Sequence, residues 1–482
     1  MNPTRSSSAA ASTPPASTPA AEQHPASTPA ASTPAAEQHR AGNTSPGRGS
    51  AAPRRAGRYS RLVLLAGRSF IPLGLFARLP LAMLTVGALT LVTAVTGSYA
   101  VGGVSAGAVG VGSALGAPVL GVLADRLGQR PVLVFAAAFN TVAVIALILA
   151  AELMAGGQDL DRSVPVLVAA FLAGATSPQV GPLARVRWMA LTSRGGRAPD
   201  TADLDTALSY EGTADELTFV LGPALVGILA SLFVPWLPLA LAAALTITLV
   251  PAFAGHPTVR AVIRTPSLNA AARAQEKERR SSLPVRQRVR ASAAVALPVL
   301  AMVCMGTFFG STQASLSSFS ASFATSELAG LLYAVMGLSS AAAALSVAYW
   351  PRRLTTIIRW LGSAALMAVL SLLLLLPSTA LPMVLVLLLL GLPVGPLMVT
   401  IFSIGGVVAP AGKLGTVMTA LASGIVAGTA VGSSIAGQLA QNHGYAAAFL
   451  VPVCAASALF LLGAAAAVVL QRKTSTAPMP AA

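Results

Sequence analysis

An all-α polytopic membrane protein of twelve transmembrane helices, arranged as two six-helix halves, is the fold class this sequence predicts, and three observations predict it. Of 482 residues 55% are hydrophobic and only 10% charged, against about 25% charged in an ordinary soluble chain. Twelve apolar runs, each near the roughly 20 residues that cross a bilayer core, follow one another between residues 70 and 470. Short motifs of the first six runs recur, in order, in the last six.

Residues 1–60 are dominated by Ala, Ser, Thr and Pro, with one nine-residue unit repeated at 16–24 and 31–39. No core can form from that composition, and the stretch lacks the apolar segment of a secretion signal, so it is predicted to be a disordered cytoplasmic tail. His24 and His39 sit in these repeats as isolated residues and predict no metal site. Six runs near 70–93, 99–124, 131–151, 164–188, 208–233 and 236–254 make a first bundle, 61–255. Residues 256–293 turn polar around Arg273–Arg280 and predict a basic cytoplasmic linker lying against lipid headgroups. A second bundle, 294–472, holds runs near 294–318, 328–350, 357–377, 381–403, 416–440 and 446–470, and residues 473–482 form a cytoplasmic tail.

Basic residues set the orientation. With the N-terminus inside, the inner segments collect Arg54–Arg68, Arg126, Arg130, Arg185, Arg187, Arg194, Arg197, the basic linker, Arg352, Arg353, Arg359, Lys413, Arg472 and Lys473, while the outer loops hold only Arg162. That bias satisfies the positive-inside rule with an even number of spans and both termini cytoplasmic. It also accounts for the formal charge of +16, which therefore predicts no nucleic-acid partner. Cys304 and Cys454 fall in separate spans without ligand spacing, so neither a disulfide nor zinc is expected, and both read as packing residues. The few Lys and abundant Ala suggest a GC-rich bacterial source. No phosphate loop, dinucleotide fingerprint, Cys/His cluster or catalytic triad is present, so no cofactor and no enzymatic activity are predicted.

The repeat is carried by Gly181-Pro182-Leu183 in span 4 and Gly395-Pro396-Leu397 in span 10. Span 5 has Gly222 and Gly227 before Leu229-Ala230, and span 11 has Gly432 and Gly437 before Leu439-Ala440. Matching order and spacing favour two parallel repeats of six helices. Small residues four apart, at Gly103/Gly107 and Gly112/Gly116 of span 2 and Gly424/Gly428/Gly432 of span 11, predict close helix contacts.

Charge inside the spans is sparse. Glu211, Asp215 and Glu216 fall in the inner half of span 5, with Glu211 and Asp215 on one helix face. Arg78 lies in the inner half of span 1. A carboxylate at that depth faces a wet cavity, pairs with a base or holds a proton. Two readings follow: a proton-coupling or substrate site in which Arg78 pairs with Asp215 or binds an anionic group, or interfacial acids beside Arg185, Arg187 and Arg194 if span 5 starts later. Gln313, Asn140 and Ser403 read as interhelical hydrogen-bond donors or acceptors.

Between spans 2 and 3 stands Gly121-Val122-Leu123-Ala124-Asp125-Arg126-Leu127-Gly128-Gln129-Arg130. The residue types, their spacing and their place between two apolar runs resemble the loop between helices 2 and 3 of the major facilitator superfamily of secondary transporters. The resemblance covers about residues 68–472 and implies alternating access about a central cavity. In that family the loop Asp docks on the start of helix 11 and holds the cytoplasmic side shut. The implied latch here is Gly121, Asp125, Arg126, Gly128 and Arg130, with Lys413 and the amides around Leu414–Thr416 as receptor. Gln129 departs from the family, which more often has a base there, and the corresponding loop at Pro351-Arg352-Arg353 lacks an Asp, so no second latch is expected. Helices 2 and 11 face each other in the family, which makes the glycine stripes a sliding contact between halves. Arg185 and Arg187 either join the Asp125 loop in a charge network or, with Trp188, anchor span 4 at the headgroups.

Gly222-Pro223-Ala224-Leu225-Val226-Gly227 partly resembles the hinge element of the superfamily's antiporters, with Val226 where a second Gly would stand. The implied activity is proton-coupled efflux of a small amphipathic metabolite or drug across the bacterial inner membrane by a monomer. Its partners are a small-molecule substrate, protons and the lipid bilayer. Uptake of a small organic solute is the first alternative, and a non-transporting membrane sensor or scaffold of the same fold is the second.

Overall fold

The structure is a computed structural model, and it describes residues 57–154, 160–193, 201–262, 278, 284–322, 327–351 and 353–471. Every regular element among them is helical, and twelve helices are long and apolar enough to span a membrane. Span 1 is Phe70–Thr96, span 2 Tyr99–Leu127 and span 3 Gln129–Leu153. Span 4 comes in two pieces, Leu160–Ala175 and Val180–Thr192. Span 5 is Thr201–Leu232 and span 6 Leu237–Gly255. The second half comprises span 7, Val285–Ala321, span 8, Glu327–Ser346, span 9, Thr356–Leu372, span 10, Ala380–Val408, span 11, Leu414–Ala448, and span 12, Leu450–Gln471.

Three departures from the predicted boundaries have local causes. Span 4 unwinds at Thr176–Gln179, where Pro178 has no amide hydrogen to give. The freed groups find partners, as they must in hydrocarbon: Ser177 Oγ and Asn140 Nδ2 both donate to the Ala173 carbonyl, at 2.9 and 2.6 Å, and Gln179 Nε2 donates to Ser177 O at 2.9 Å. Pro182 then falls in the first turn of the second piece, where an amide donor has no helical partner anyway. Span 7 begins at Val285 rather than 294, because Arg286, Gln287 and Arg290 continue the helix as an exposed extension. Span 5 starts at Thr201 rather than 208, which carries its acidic residues deeper than a late start would.

A short helix, Arg58–Ala66, precedes span 1 and straddles the boundary predicted at residue 60 between tail and first bundle. Leu62 and Ala66 are buried, which stabilises it against the bundle. Residues 1–56, most of the predicted linker and residues 472–482 lie outside the described residues.

The glycines show where the helices touch. A Cβ on Gly112 or Gly116 of span 2 would stand about 2 Å from the carbonyls of Phe171 or Ala175 in span 4, and one on Gly174 would meet Val109 in return. Gly391 and Gly395 of span 10 press on Met336 and Ser340 of span 8 in the same manner. Gly428 and Gly432 of span 11 sit against Val303 and Thr307 of span 7, answered by Gly306 and Gly310. Gly222 of span 5 repeats that contact more loosely on Ala82 of span 1. The pairs 2–4 and 8–10, and 1–5 and 7–11, thus carry the internal repeat into packing. The packed glycine stripes therefore lie within each half, a correction to their expected role as the contact between spans 2 and 11; those spans do meet, but around Gly121 and Gly415. Gly103 and Gly107 have nothing within 4 Å of an added Cβ.

The contrast within span 11 is testable. Gly428→Leu forces backbone apart and is expected to lose about 1–3 kcal/mol of stability, whereas Gly437→Leu, which meets nothing within 4 Å, leaves it unchanged. Thermal melting of the two purified variants in one detergent checks this; equal melting temperatures would remove the packing argument.

Candidate functional site

The Asp125 loop is built as a docking device. Span 2 ends at Leu127, and Gly128 (φ 93°) turns the chain directly into span 3, a backbone conformation L side chains rarely adopt. About two turns earlier, Gly121 allows span 2 to meet span 11: a Cβ there would stand 1.9 Å from Thr419 Oγ1. At that crossing Asp125 accepts hydrogen bonds from the Gly415 amide (2.9 Å), the Thr416 amide (2.7 Å) and Thr416 Oγ1 (2.7 Å). A carboxylate on free amides at a helix N-terminus is matched in both charge and hydrogen bonding. Gly415 is required for the approach, since its Cβ would stand 2.6 Å from Asp125 Oδ1.

Lys413 is not the partner it was expected to be. It occupies the N-cap of span 11, is exposed and forms no ion pair with Asp125; the receptor is backbone and a hydroxyl. Arg126 and Arg130 are exposed, and no hydrogen bond or ion pair joins them to other described residues. Gln129, in contrast, is buried. Its Oε1 accepts from Arg187 Nε at 2.8 Å and its Nε2 donates to Leu183 O at 3.3 Å, tying the loop to the lower piece of span 4.

A second tie joins the halves where none was expected. Arg359, in the first turn of span 9, pairs with Asp205 of span 5 at 3.0 Å. The helix ahead of span 1 adds to it: Arg58 donates to Ala348 O, Tyr59 Oη donates to Leu345 O at 2.7 Å, and Arg61 pairs with Asp203 at 3.0 Å. Asp205 escaped the sequence reading because the apolar run of span 5 begins after it. Arg359 reads from the sequence only as one of the topological charges.

Above the latch the first half encloses a balanced charge cluster. Arg78 of span 1 donates to Glu211 Oε2 at 2.6 Å and to Asp215 Oδ1 at 2.7 Å, and Arg185 of span 4 donates to Asp215 Oδ2 at 2.7 Å. The remaining Glu211 oxygen accepts from Trp188 Nε1 at 2.7 Å. Two guanidinium groups thus face two carboxylates, with Arg78, Arg185 and Glu211 each no more than 4% exposed. The Arg185 plane also rests 3.8 Å from the Phe402 ring of span 10, the contact this cluster makes with the second half. Arg185 therefore serves Asp215 rather than the Asp125 loop. Trp188, fully buried, is no headgroup anchor.

Glu216, next in sequence to Asp215, points elsewhere. It is buried, accepts from Ser340 Oγ of span 8 at 2.9 Å, and has no cation in its ion-pairing range. Thr213 Oγ1, one turn below, donates to Ala341 O of span 8 at 3.1 Å, and Gly337 packs on Val220. This carboxyl sits on the seam between halves. Gly222 lies against span 1, Pro223 is accommodated within a continuous span 5, and Gly227 meets nothing. Asn140 bridges spans 3 and 4 as expected, Ser403 is buried, and Gln313 is exposed. Cys304 is half-buried and Cys454 exposed, so the latter is not the core packing residue that was expected. Among the described residues no cluster of His, Cys, Asp and Glu has the makings of a metal site.

Arg187 is fully buried without a carboxylate. It donates to Phe253 O at 2.7 Å and Thr258 Oγ1 at 3.2 Å, and lies 4.0 Å from the Phe253 ring. Thr258 leads to His256, whose Nδ1 accepts from the Thr258 amide at 3.4 Å while Nε2 meets Ser69 Oγ at 3.1 Å. That arrangement uses the neutral imidazole, and burial together with the Arg187 charge holds the His256 pKa below its ordinary value.

Twelve spans in two repeated halves, tied by a helix-terminus latch, define a secondary-transporter architecture. The chain belongs to the Major Facilitator Superfamily, whose family model matches residues 70–425, and it is a transporter rather than an enzyme. No curated protein matches its sequence. Among solved structures it is similar to the human organic anion transporter MFSD10, with a TM-score of 0.60 at 20% identity over 82% of this chain and 98% of that one. A bacterial homologue of the iron transporter ferroportin in its outward-facing state gives 0.59 at 17% identity over 83% and 99%. The E. coli fucose:proton symporter FucP gives 0.58 at 14% over 83% and 99%. At such identities the likeness concerns the fold.

Two outcomes follow from this geometry. With Cys304 and Cys454 replaced and spin labels at positions 126 and 411, Asp125→Ala is expected to lengthen the inter-label distance distribution and Lys413→Ala to leave it unchanged; the reverse pattern would restore the ammonium as receptor. His256 has a lowered folded pKa, so the unfolded chain binds more protons and stability falls as pH drops below about 6.5. Melting temperatures at pH 5 and pH 8 should differ less in His256→Gln than in the parent, and an equal difference would exclude His256 as the source.

Proposed function

We propose that this chain is a proton-coupled exporter of a small amphipathic metabolite or drug, working by alternating access with both termini in the cytoplasm of a bacterial inner membrane and acting as a monomer. In this reading the state described above is closed at the cytoplasmic side, held by Asp125 on span 11 and by Arg359 on Asp205. The observation that carries it is Glu216: a carboxyl in the membrane interior, on the seam between halves, with a hydroxyl for a partner and no cation.

Division of labour among the acids follows from their partners. Asp215 is bracketed by two guanidinium groups and acts as a fixed counter-ion, while Glu211 is held by Arg78 and Trp188. Removing one member of such a buried set leaves an uncompensated charge, at a cost of about 3–5 kcal/mol, so these residues suit a permanent scaffold. Glu216 stands free of them. In this scheme the proton is carried on Glu216: its release and uptake change what Ser340 can hold, and the halves part or rejoin accordingly. The Gly222-Pro223 element in the same helix supports the antiport direction through its resemblance to the exporter hinge.

Reconstitution in liposomes with an imposed pH gradient tests the scheme, with amphipathic dyes and candidate solutes as cargo. The parent protein should move protons only when cargo moves. Glu216→Gln should abolish gradient-driven accumulation while leaving exchange of cargo down its own gradient, and Asp215→Asn should impair both. Unaltered proton movement in Glu216→Gln would displace the proton site. Accumulation of cargo in the direction of proton flow would favour uptake, and an absence of any coupled cargo would favour the sensor or scaffold reading.

A further inference from the structure

On the second half, spans 8, 9 and 10 enclose a groove of about 640 Å³. That lies within the roughly 300–1,000 Å³ typical of small-molecule sites. Residues 342–396 supply its whole lining and the first half supplies none, so it opens toward the bilayer rather than into the seam between halves. Its wall is hydrocarbon for most of its length, with Gly362, Leu366, Leu392 and Pro393 along it, and Leu366 and Leu392 nearly half exposed. Gly362 meets nothing within 4 Å of an added Cβ: the missing side chain is part of the opening.

One end of the groove is polar. Arg359 forms it, with Trp350 beside it; the guanidinium carbon lies 6.0 Å from the Trp350 ring. Arg359 is fixed in place by donating to Leu354 O at 3.0 Å and to Asp205 at 3.0 Å. Arg353, exposed, stands one residue before Leu354, which lines the same end. Arg359, Gly362 and Leu366 follow one face of span 9, so the groove runs from a basic, aromatic mouth into hydrocarbon over roughly 10 Å of helix. A Trp at an interface and cations beside a hydrocarbon slot match the two ends of a lipid: acyl chain within, phosphate at the mouth.

We propose that this groove is a binding site for an anionic glycerophospholipid, with one acyl chain along Gly362, Leu366 and Leu392 and the phosphate beside Arg353 and Arg359. The site is separate from the charge cluster of the first half and does not depend on the transport reading. It places a lipid phosphate next to the arginine that also grips Asp205 across the halves.

Native mass spectrometry of the full chain, with palmitoyl-oleoyl phosphatidylglycerol and phosphatidylcholine as probes, tests it. The parent should retain phosphatidylglycerol at least tenfold more strongly than phosphatidylcholine. Gly362→Phe, which fills the slot, should lower that retention about tenfold, and Leu366→Trp provides a second filler if the first fails to fold; melting temperature identifies the folded one. Arg353→Gln, which leaves the Asp205 pair intact, should reduce the preference for phosphatidylglycerol while the chain still binds. Equal retention of both lipids by the parent would overturn the anionic assignment. Undiminished retention in a folded filler variant would overturn the groove, and competition by glycerol 3-phosphate as strong as that by the whole lipid would show a headgroup site without a chain.

Discussion

Charge taken into hydrocarbon must be answered nearby, and the first half is organised around that demand. Arg78 and Arg185 enter from spans 1 and 4, Glu211 and Asp215 from span 5, and each carboxylate oxygen has a donor within 2.7 Å. The cluster fixes how three helices sit against one another in a region otherwise joined by weak, non-directional contacts. Neutrality is local, so no net charge has to be satisfied by the second half. What crosses to that half is more varied: a ring face over a guanidinium, a carboxyl on a hydroxyl, a carboxylate on helix amides and the Arg359–Asp205 ion pair.

The two halves repeat one another in packing and diverge in chemistry. Glycine-mediated contacts between spans 2 and 4 reappear between spans 8 and 10, yet the second half has no counterpart of the four-residue charge cluster among the described residues. The ties between halves diverge as well. At one, the anion comes from the first half and meets backbone; at the other, it comes from the first half again and meets an arginine.

Much of this was legible in the sequence because it rests on composition and short spacing. Twelve apolar runs and the Asp125 loop follow from hydropathy and motif, and the pairing of Arg78 with Asp215 is one of the alternatives that depth and helix periodicity leave open. Several features did not follow, each for a physical reason. Lys413 looked like a receptor because side-chain charges are visible in a sequence, whereas free amides at a helix start are visible only once the helix is placed. The glycine stripes announced close contact without naming the neighbour, since a small residue specifies an approach and not a partner. Asp205 lay outside the apolar run that defined span 5, and the break at Pro178 was hidden inside an uninterrupted run of span 4.

That break changes the mechanics of span 4. Its lower piece, Val180–Thr192, is 13 residues long and is separated from the upper piece by backbone held through side chains. Arg185 attaches it to Asp215, and two residues on, Arg187 attaches it to Gln129, four residues past the latch carboxylate. A short rod set off at its top and pinned at two points joins the charge cluster to the loop carrying Asp125 through side chains only two residues apart, without passing through the upper piece of span 4 that packs on span 2.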